Sequence, residues 1–362
     1  MTTPIIDVKS LNKFYGDYQA LYDISLSVEV GEFIALVGPS GCGKTSLLKI
    51  LAGFEKLSSG ILEIEGRNMR DVPPSERPTR MVFQKLALFP HKTIYENIAF
   101  PLKIAKVGKP EMDAKVRQML DLMHLKEEYL TRYPAQLSGG EQQRVALARS
   151  MVSNPSVLLL DEPLSALDVK LKKSLQAELK RLHRTIGTSF VHVTHDLEEA
   201  MMLADRICVM KDGHVLQVGT PNDIYYRPAH PFVAGFIGDT NLLPTVLTRS
   251  DGSLNAATQG VTCENPKLRE GQLAKGLDEG NAVLMIRPEM ITLEGDAPKD
   301  CQMTGTVEEF FVKGATIQYR IRVRDLDAEV IVETPGTAAV PHSVGKAVHL
   351  DFGLSDAFVL GA

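Results

Sequence analysis

The chain has no excess of positive charge, no spaced cysteine pattern and no long apolar run, and each absence removes a class of function. Its 362 residues carry 40 Lys and Arg against 45 Asp and Glu, a formal net charge of −5. Binding of nucleic acid or anionic lipid by charge alone is therefore not expected. Cys42, Cys208, Cys263 and Cys301 show no C-x-x-C spacing, which argues against a structural zinc site and against a disulfide framework, and fits a reducing cytoplasm. The opening residues, MTTPIIDVKS, lack a basic region followed by an apolar core. No apolar run approaches the ~18 residues that span a bilayer, so any membrane role is expected to go through partners. A guanine-recognising N-K-x-D is also missing, since NKFY at Asn12 to Tyr15 does not supply it.

The length suggests about two domains. EFIALVG (Glu32 to Gly38), SVLLLDEP (Ser156 to Pro163) and SFVHVTHD (Ser189 to Asp196) read as buried strands, and helical spacing through Leu47, Leu48, Leu51 and Phe54 follows the first of them. A further helical pattern lies between the other two strands and ends at Gly187. Alternating strands and helices imply a mostly parallel sheet. From about 86 to 150 the pattern is helical with breaks at Pro90, Pro101, Pro110 and Pro134, a helical subdomain. After about Gly238 the character changes: ATIQYRIRV places Ile317, Tyr319, Ile321 and Val323 on one face and Gln318, Arg320 and Arg322 on the other. The expected organisation is an α/β nucleotide-binding domain over 1–238 and an all-β domain over 239–362.

GPSGCGKT, Gly38 to Thr45, matches G-x-x-x-x-G-K-[ST] between a strand and a helix, the setting of a phosphate loop. Amides from Ser40 to Thr45 would wrap the β-phosphate, Lys44 would reach the β- and γ-phosphates, and the Thr45 hydroxyl would take a Mg²⁺ position. Cys42 reads as a small loop residue. Asp161 and Glu162 close a buried strand, where open α/β sheets place their ligand crevices. Asp161 would hold Mg²⁺ through its water shell and Glu162 would polarise the attacking water. His195 ends another strand, where it could donate to the γ-phosphate or steady the water. Gln84 follows the apolar start of MVFQK. A second glycine stretch, LSGGEQQR at Leu137 to Arg144, could also open a helix whose first amides favour an anion.

Taken in order, KFYG, the phosphate loop, Gln84, LSGGEQQR, Asp161 with Glu162, SALD (Ser165 to Asp168) and His195 resemble the ATP-binding subunits of ABC transporters across nearly the whole chain. The resemblance implies that Tyr15 stacks on adenine and that Gly38, Pro39, Ser40, Gly41, Cys42, Gly43, Lys44, Thr45, Ser46 and Gln84 contact ATP. Glu162 and His195 would be catalytic, and Thr45, Gln84 and Asp161 would hold Mg²⁺. Gln136, Ser138, Gly139, Gly140 and Glu141 would serve the ATP of a second copy of the chain, in a head-to-tail dimer with two nucleotides between the subunits. LALFPHKTIYENIAF, Leu86 to Phe100, lies in the region that meets the membrane subunits in this family.

FIGDTNLLP and MIRPEMITL place the C-terminal part with the OB-like, TOBE-type regulatory extension of a subset of ABC importers. Residues 240–362 hold 17 acidic and 11 basic side chains, a sign that disfavours a nucleic-acid platform. As a whole the chain looks most similar to spermidine/putrescine importer ATPases, although iron(III), sulfate, molybdate and sugar importers have similar cassettes. A soluble ABC ATPase of repair or translation would usually carry two cassettes or a long coiled-coil insertion, and neither is present here. The expected partners are a second copy, two integral membrane permease subunits and, indirectly, an external solute-binding protein, with no nucleic acid. The expected location is the cytoplasmic face of the cell membrane, as a peripheral subunit.

Overall fold

The computed structural model describes residues 3–165, 168–250, 252–269, 271–295, 299–326, 328–336 and 342–362. It divides into two compact units, Met1–Pro221 and Asn222–Ala362. Ala166 and Leu167 of the SALD stretch lie outside the described residues.

The first unit opens with β1 (Ile6–Tyr15), β2 (Tyr18–Val28), β3 (Phe33–Val37), α1 (Lys44–Ala52), β4 (Ser59–Ile64), β5 (Arg67–Asn68) and β6 (Thr79–Val82). It continues with α2 (Ile94–Ile104), α3 (Lys109–Leu122), α4 (Gly139–Met151), β7 (Val157–Asp161), α5 (Val169–Ile186), β8 (Ser189–Val193), α6 (Leu197–Leu203), β9 (Arg206–Lys211) and β10 (His214–Gly219). The central sheet runs β10-β9-β3-β8-β7-β6, parallel except for the antiparallel pairing of β10 with β9. Every residue of β3 and β8 is buried, which explains why β3 reads as a continuous apolar run and neither strand as alternating. A smaller antiparallel sheet, β2-β1-β4-β5, stands beside it in the chain.

Two local expectations need correction. Leu47, Leu48 and Leu51 are buried on α1, but the helix stops at Gly53, a left-handed residue at φ 85°, so Phe54 leaves the helical register and is exposed. Pro101 does not break the helical region; it sits inside α2. The first turn of α2 is secured by the reciprocal Thr93–Glu96 cap and by buried Asn97 bonding the carbonyls of Phe89, Lys92 and Thr93, so the helix continues through the proline.

The second unit contains α7 (Pro221–Tyr226) from Asn222 onward and α8 (Pro231–Ile237). Its strands are β11 (Asn241–Ser250), β12 (Ser253–Thr258), β13 (Thr262–Cys263), β14 (Gly280–Ile286), β15 (Thr292–Leu293), β16 (Cys301–Val312), β17 (Thr316–Val323), β18 (Glu329–Pro335), β19 (Ala347–Phe352) and β20 (Phe358–Gly361). They form two antiparallel sheets, β12-β11-β14-β20 and β15-β19-β16-β17-β18, with β13 on β16, an all-β OB-like domain. On β17, Ile317, Tyr319, Ile321 and Val323 are buried and Arg320 and Arg322 exposed, whereas Gln318 is buried and donates to Asp239 Oδ2 at 2.7 Å. Arg287 is fully buried, donates to the carbonyls of Tyr225, Ala234, Gly238 and Asp239, and stacks on the Tyr225 ring. A buried guanidinium is tolerated only when its donors are met, and these carbonyls tie residues ahead of Gly238 to the β-domain.

The disulfide expectation is also overturned. Cys263 on β13 pairs in antiparallel register with Cys301 on β16, and the two form a disulfide. Their separation of 38 residues hides this from any reading of local spacing. Cys42 and Cys208 are free and buried.

Candidate nucleotide site

Strand register gathers the motifs on one edge of the parallel sheet. Leu36 of β3 and Asp161 of β7 are both aligned with Val193 of β8, and Val82 of β6 is aligned with Leu160. The phosphate loop starts just past Leu36, Glu162 follows Asp161, His195 follows Val193 by two residues, and Gln84 follows Val82 by two. Because these strands are parallel, all four segments leave at their carboxyl ends, where such sheets form their crevices.

The loop itself requires glycine. Gly38 adopts φ 153° and Gly43 φ 101°. A β-carbon on Gly38 would collide with the Met210 carbonyl, and one on Gly43 would stand 2.5 Å from Leu21 Cδ2. Lys44 begins α1 with its side chain buried, and its ammonium donates to the carbonyls of Gly38 at 2.7 Å and Pro39 at 2.9 Å. The charge is thus fixed inside the curve of the loop. Tyr15 is exposed beside it: its hydroxyl is 3.4 Å from Ser46 Oγ, and Lys13 Nζ stands 4.5 Å from its ring centroid.

Two of the expected residues, His195 and Gln84, converge on the carboxylate of a third, Glu162. Glu162 Oε2 lies 3.1 Å from His195 Nδ1 and accepts from Gln84 Nε2 at 3.4 Å. Glu162 takes the left-handed conformation, φ 45°, and its amide donates to Val193 O at 3.0 Å. That backbone turn is disfavoured for a residue with a side chain and is the kind of constraint found where a group must be aimed. Burial, followed by the neighbouring Glu162 charge, raises the pKa of Asp161, with Lys49 opposing. A carboxylate held in this way is relieved by a cation.

Ser165, the first residue of SALD, joins this cluster, and sequence reasoning missed several other participants. Ser165 Oγ accepts from Gln84 at 3.3 Å and donates to Glu162 O at 2.9 Å, while the charge of Lys49, in the second turn of α1, acts on Asp161. Under the histidine loop, buried Glu199 bonds His192 Nε2 at 2.6 Å, accepts from Thr194 Oγ1 at 3.2 Å and pairs with Lys172 at 3.3 Å. Lys172 also reaches Asp196 at 2.6 Å. Burial opposes the charge on Glu199, but the His192 bond and the Lys172 charge outweigh it and hold its pKa down. The acids after THD are visible in the sequence, but Lys172 lies 24 residues from Asp196, so the sequence does not reveal which pairs meet.

LSGGEQQR forms the start of α4. Ser138 is its cap: Ser138 Oγ donates to Glu141 Oε2 at 2.8 Å and accepts from the Glu141 amide, and Tyr129 donates to the same carboxylate at 2.7 Å. Gly140 is buried, and a β-carbon there would stand 2.8 Å from Leu171 Cδ1. Gln136 closes the preceding turn by accepting from the Tyr133 amide. Ser138 and Gly139 are exposed. Among the described residues, no hydrogen bond joins Ser138, Gly139 or Gly140 to Gly38–Ser46 of the same chain.

Comparison with known proteins shows the family of the chain. The ABC transporter family model matches residues 21–165 and the TOBE domain model residues 284–360. A spermidine/putrescine import ATP-binding protein PotA of Oleidesulfovibrio alaskensis is 46% identical, covering 88% of this chain and 85% of its own. The chain belongs to the family of ABC import ATPases. The protein of the same name from Thermobifida fusca is 42% identical, covering 99% of this importer ATPase and 94% of its own length. Among solved structures, a dimeric post-hydrolysis state of an ATP-binding cassette bound to ADP and Pi is similar with TM-score 0.54 at 33% identity, over 60% of the importer ATPase and 98% of that cassette.

Proposed function

We propose that the chain is the ATP-hydrolysing motor subunit of a spermidine/putrescine import complex. The observation that carries the motor reading is the convergence of Gln84, Glu162 and His195 beside the phosphate loop. Glu162 would accept a proton from the attacking water, with His195 and Gln84 fixing the carboxylate and the γ-phosphate end of the nucleotide. Lys44 would exchange its loop carbonyls for phosphate oxygens. The oxygens of Thr45 and Asp161 suit Mg²⁺, which takes few protein ligands and would neutralise phosphate charge when bound.

Polyamine as the solute is supported by the names of the relatives, at 46% and 44% identity over 88% and 89% of the chain. The dimeric solved cassettes support pairing with a second copy and the import names support a role in transport; we take the pair to be head to tail and docked on two permease subunits fed by an external binding protein. No helix among the described residues is long and apolar enough to cross a membrane. We place the subunit on the cytoplasmic face of the membrane through those permeases. Uptake of labelled spermidine, putrescine, sulfate and maltose tests the reading in cells carrying the native chain or Glu162→Gln. Loss confined to the polyamines supports it; loss confined to another solute overturns the polyamine assignment while leaving the motor intact.

A further inference from the structure

We infer that Arg149 is a positioning residue that fixes the Gln84 loop onto the helix carrying the LSGGEQQR signature, an inference that rests on the reading of Gln84 as a site residue. Arg149 lies in the last turn of α4. Its Nη1 donates to Ala87 O at 2.7 Å and its Nη2 to Leu86 O at 2.8 Å. These carbonyls belong to consecutive left-handed residues, Leu86 at φ 30° and Ala87 at φ 48°. Neither residue is glycine, so this backbone persists only where its surroundings hold it. The guanidinium also stands 5.5 Å from the Phe89 ring centroid. The next residue, Ser150, donates from Oγ to Met81 O at 3.4 Å.

Gln84 is therefore bracketed from both sides by one helical turn, at Met81 before it and at Leu86 and Ala87 after it. The planar fork of arginine can meet two carbonyls at once; a lysine ammonium offers no such fork. Helix α4 begins with Gly139 and Gly140 and runs for 13 residues to this turn, a rod of about 20 Å. Gln84, whose amide touches Glu162, and Ser138, the cap of the same rod, are thereby set relative to each other, and a shift of the loop is carried along the rod to the signature.

Steady-state ATPase of the purified full-length protein tests this with Gln84→Ala, Arg149→Met, Arg149→Lys and the double variant Gln84→Ala/Arg149→Met, each with a thermal melt. We expect Arg149→Met and Gln84→Ala each to lower kcat by about tenfold or more, and the double variant to fall no more than about twofold below either, because both remove the same placement. Arg149→Lys should fall between native and Arg149→Met, and it replaces Arg149→Met in the cycle if the latter does not fold. Losses that multiply, to about a hundredfold in the double variant, overturn the inference, as does a lowered Tm with unchanged kcat. If Gln84→Ala leaves kcat unchanged, the Gln84 reading fails and this inference with it. If Gln84→Ala is impaired and Arg149→Met is not, only the Arg149 inference fails.

Discussion

The imidazole Nδ1 of His195 lies 3.1 Å from the Glu162 carboxylate, although the two residues leave different strands of the sheet. Glu162→Gln should keep the shape of the group and leave ATP binding intact. Removing the proton acceptor should lower kcat by about 10²- to 10⁴-fold. Parallel measurements of turnover and of nucleotide affinity check this, and normal turnover would remove Glu162 from the catalytic role.

Asp161 should show a trade between stability and function. Its pKa is raised, first by burial and then by Glu162, so the ionised carboxylate is disfavoured in the folded protein. The penalty applies at pH above the raised value and is relieved as pH falls through that value toward the ordinary 3.8. Asp161→Asn should therefore raise the Tm of the nucleotide-free protein at neutral pH while abolishing Mg²⁺-dependent ATPase. A melt without nucleotide beside a magnesium titration of activity reads both.

Glu199 has the opposite sign. Its folded pKa is lowered despite burial, so its contribution is complete above the ordinary value of 4.5 and is lost as pH falls through the lowered one. Glu199→Ala, which breaks a buried pair by deleting one partner, should cost on the order of 3–5 kcal/mol. Denaturant unfolding at pH 7 and again below pH 4 checks it, with the difference from native shrinking at the lower pH.

Tyr15 offers an exposed aromatic face next to the start of α1. Tyr15→Ala should weaken ATP and GTP alike by about 1 to 3 kcal/mol, since stacking tolerates different bases. Calorimetric titration of both nucleotides decides it, and unchanged affinities would take Tyr15 out of the site.

What could be read from the chain beforehand were features encoded within a short window. EFIALVG, SVLLLDEP and SFVHVTHD became β3, β7 and β8, and the glycines of the phosphate loop are required by their backbone angles. Arg149, Lys49 and Glu199 were not legible as participants because their meaning comes from partners brought close by tertiary folding: Arg149 and Ala87 are 62 residues apart. Cys263 and Cys301 were misread for the same reason. Pro101 was misread as a break because its local signal is weaker than the capped turn that precedes it.

In the proposed dimer the signature serves the nucleotide held by the partner's phosphate loop. Lys44→Ala and Ser138→Arg, each in a Glu162→Gln background that prevents hydrolysis from emptying the site, give homodimers with two defective sites. A tag-purified mixed dimer should then have one site with both defects and one combining an intact Lys44 with an intact Ser138. Trapped ATP is the better readout, because coupling between the sites can silence turnover even when one is whole. Mixed dimers should trap about one ATP each, since the one whole site still holds nucleotide tightly. Trapping no greater than in either parent homodimer would contradict it.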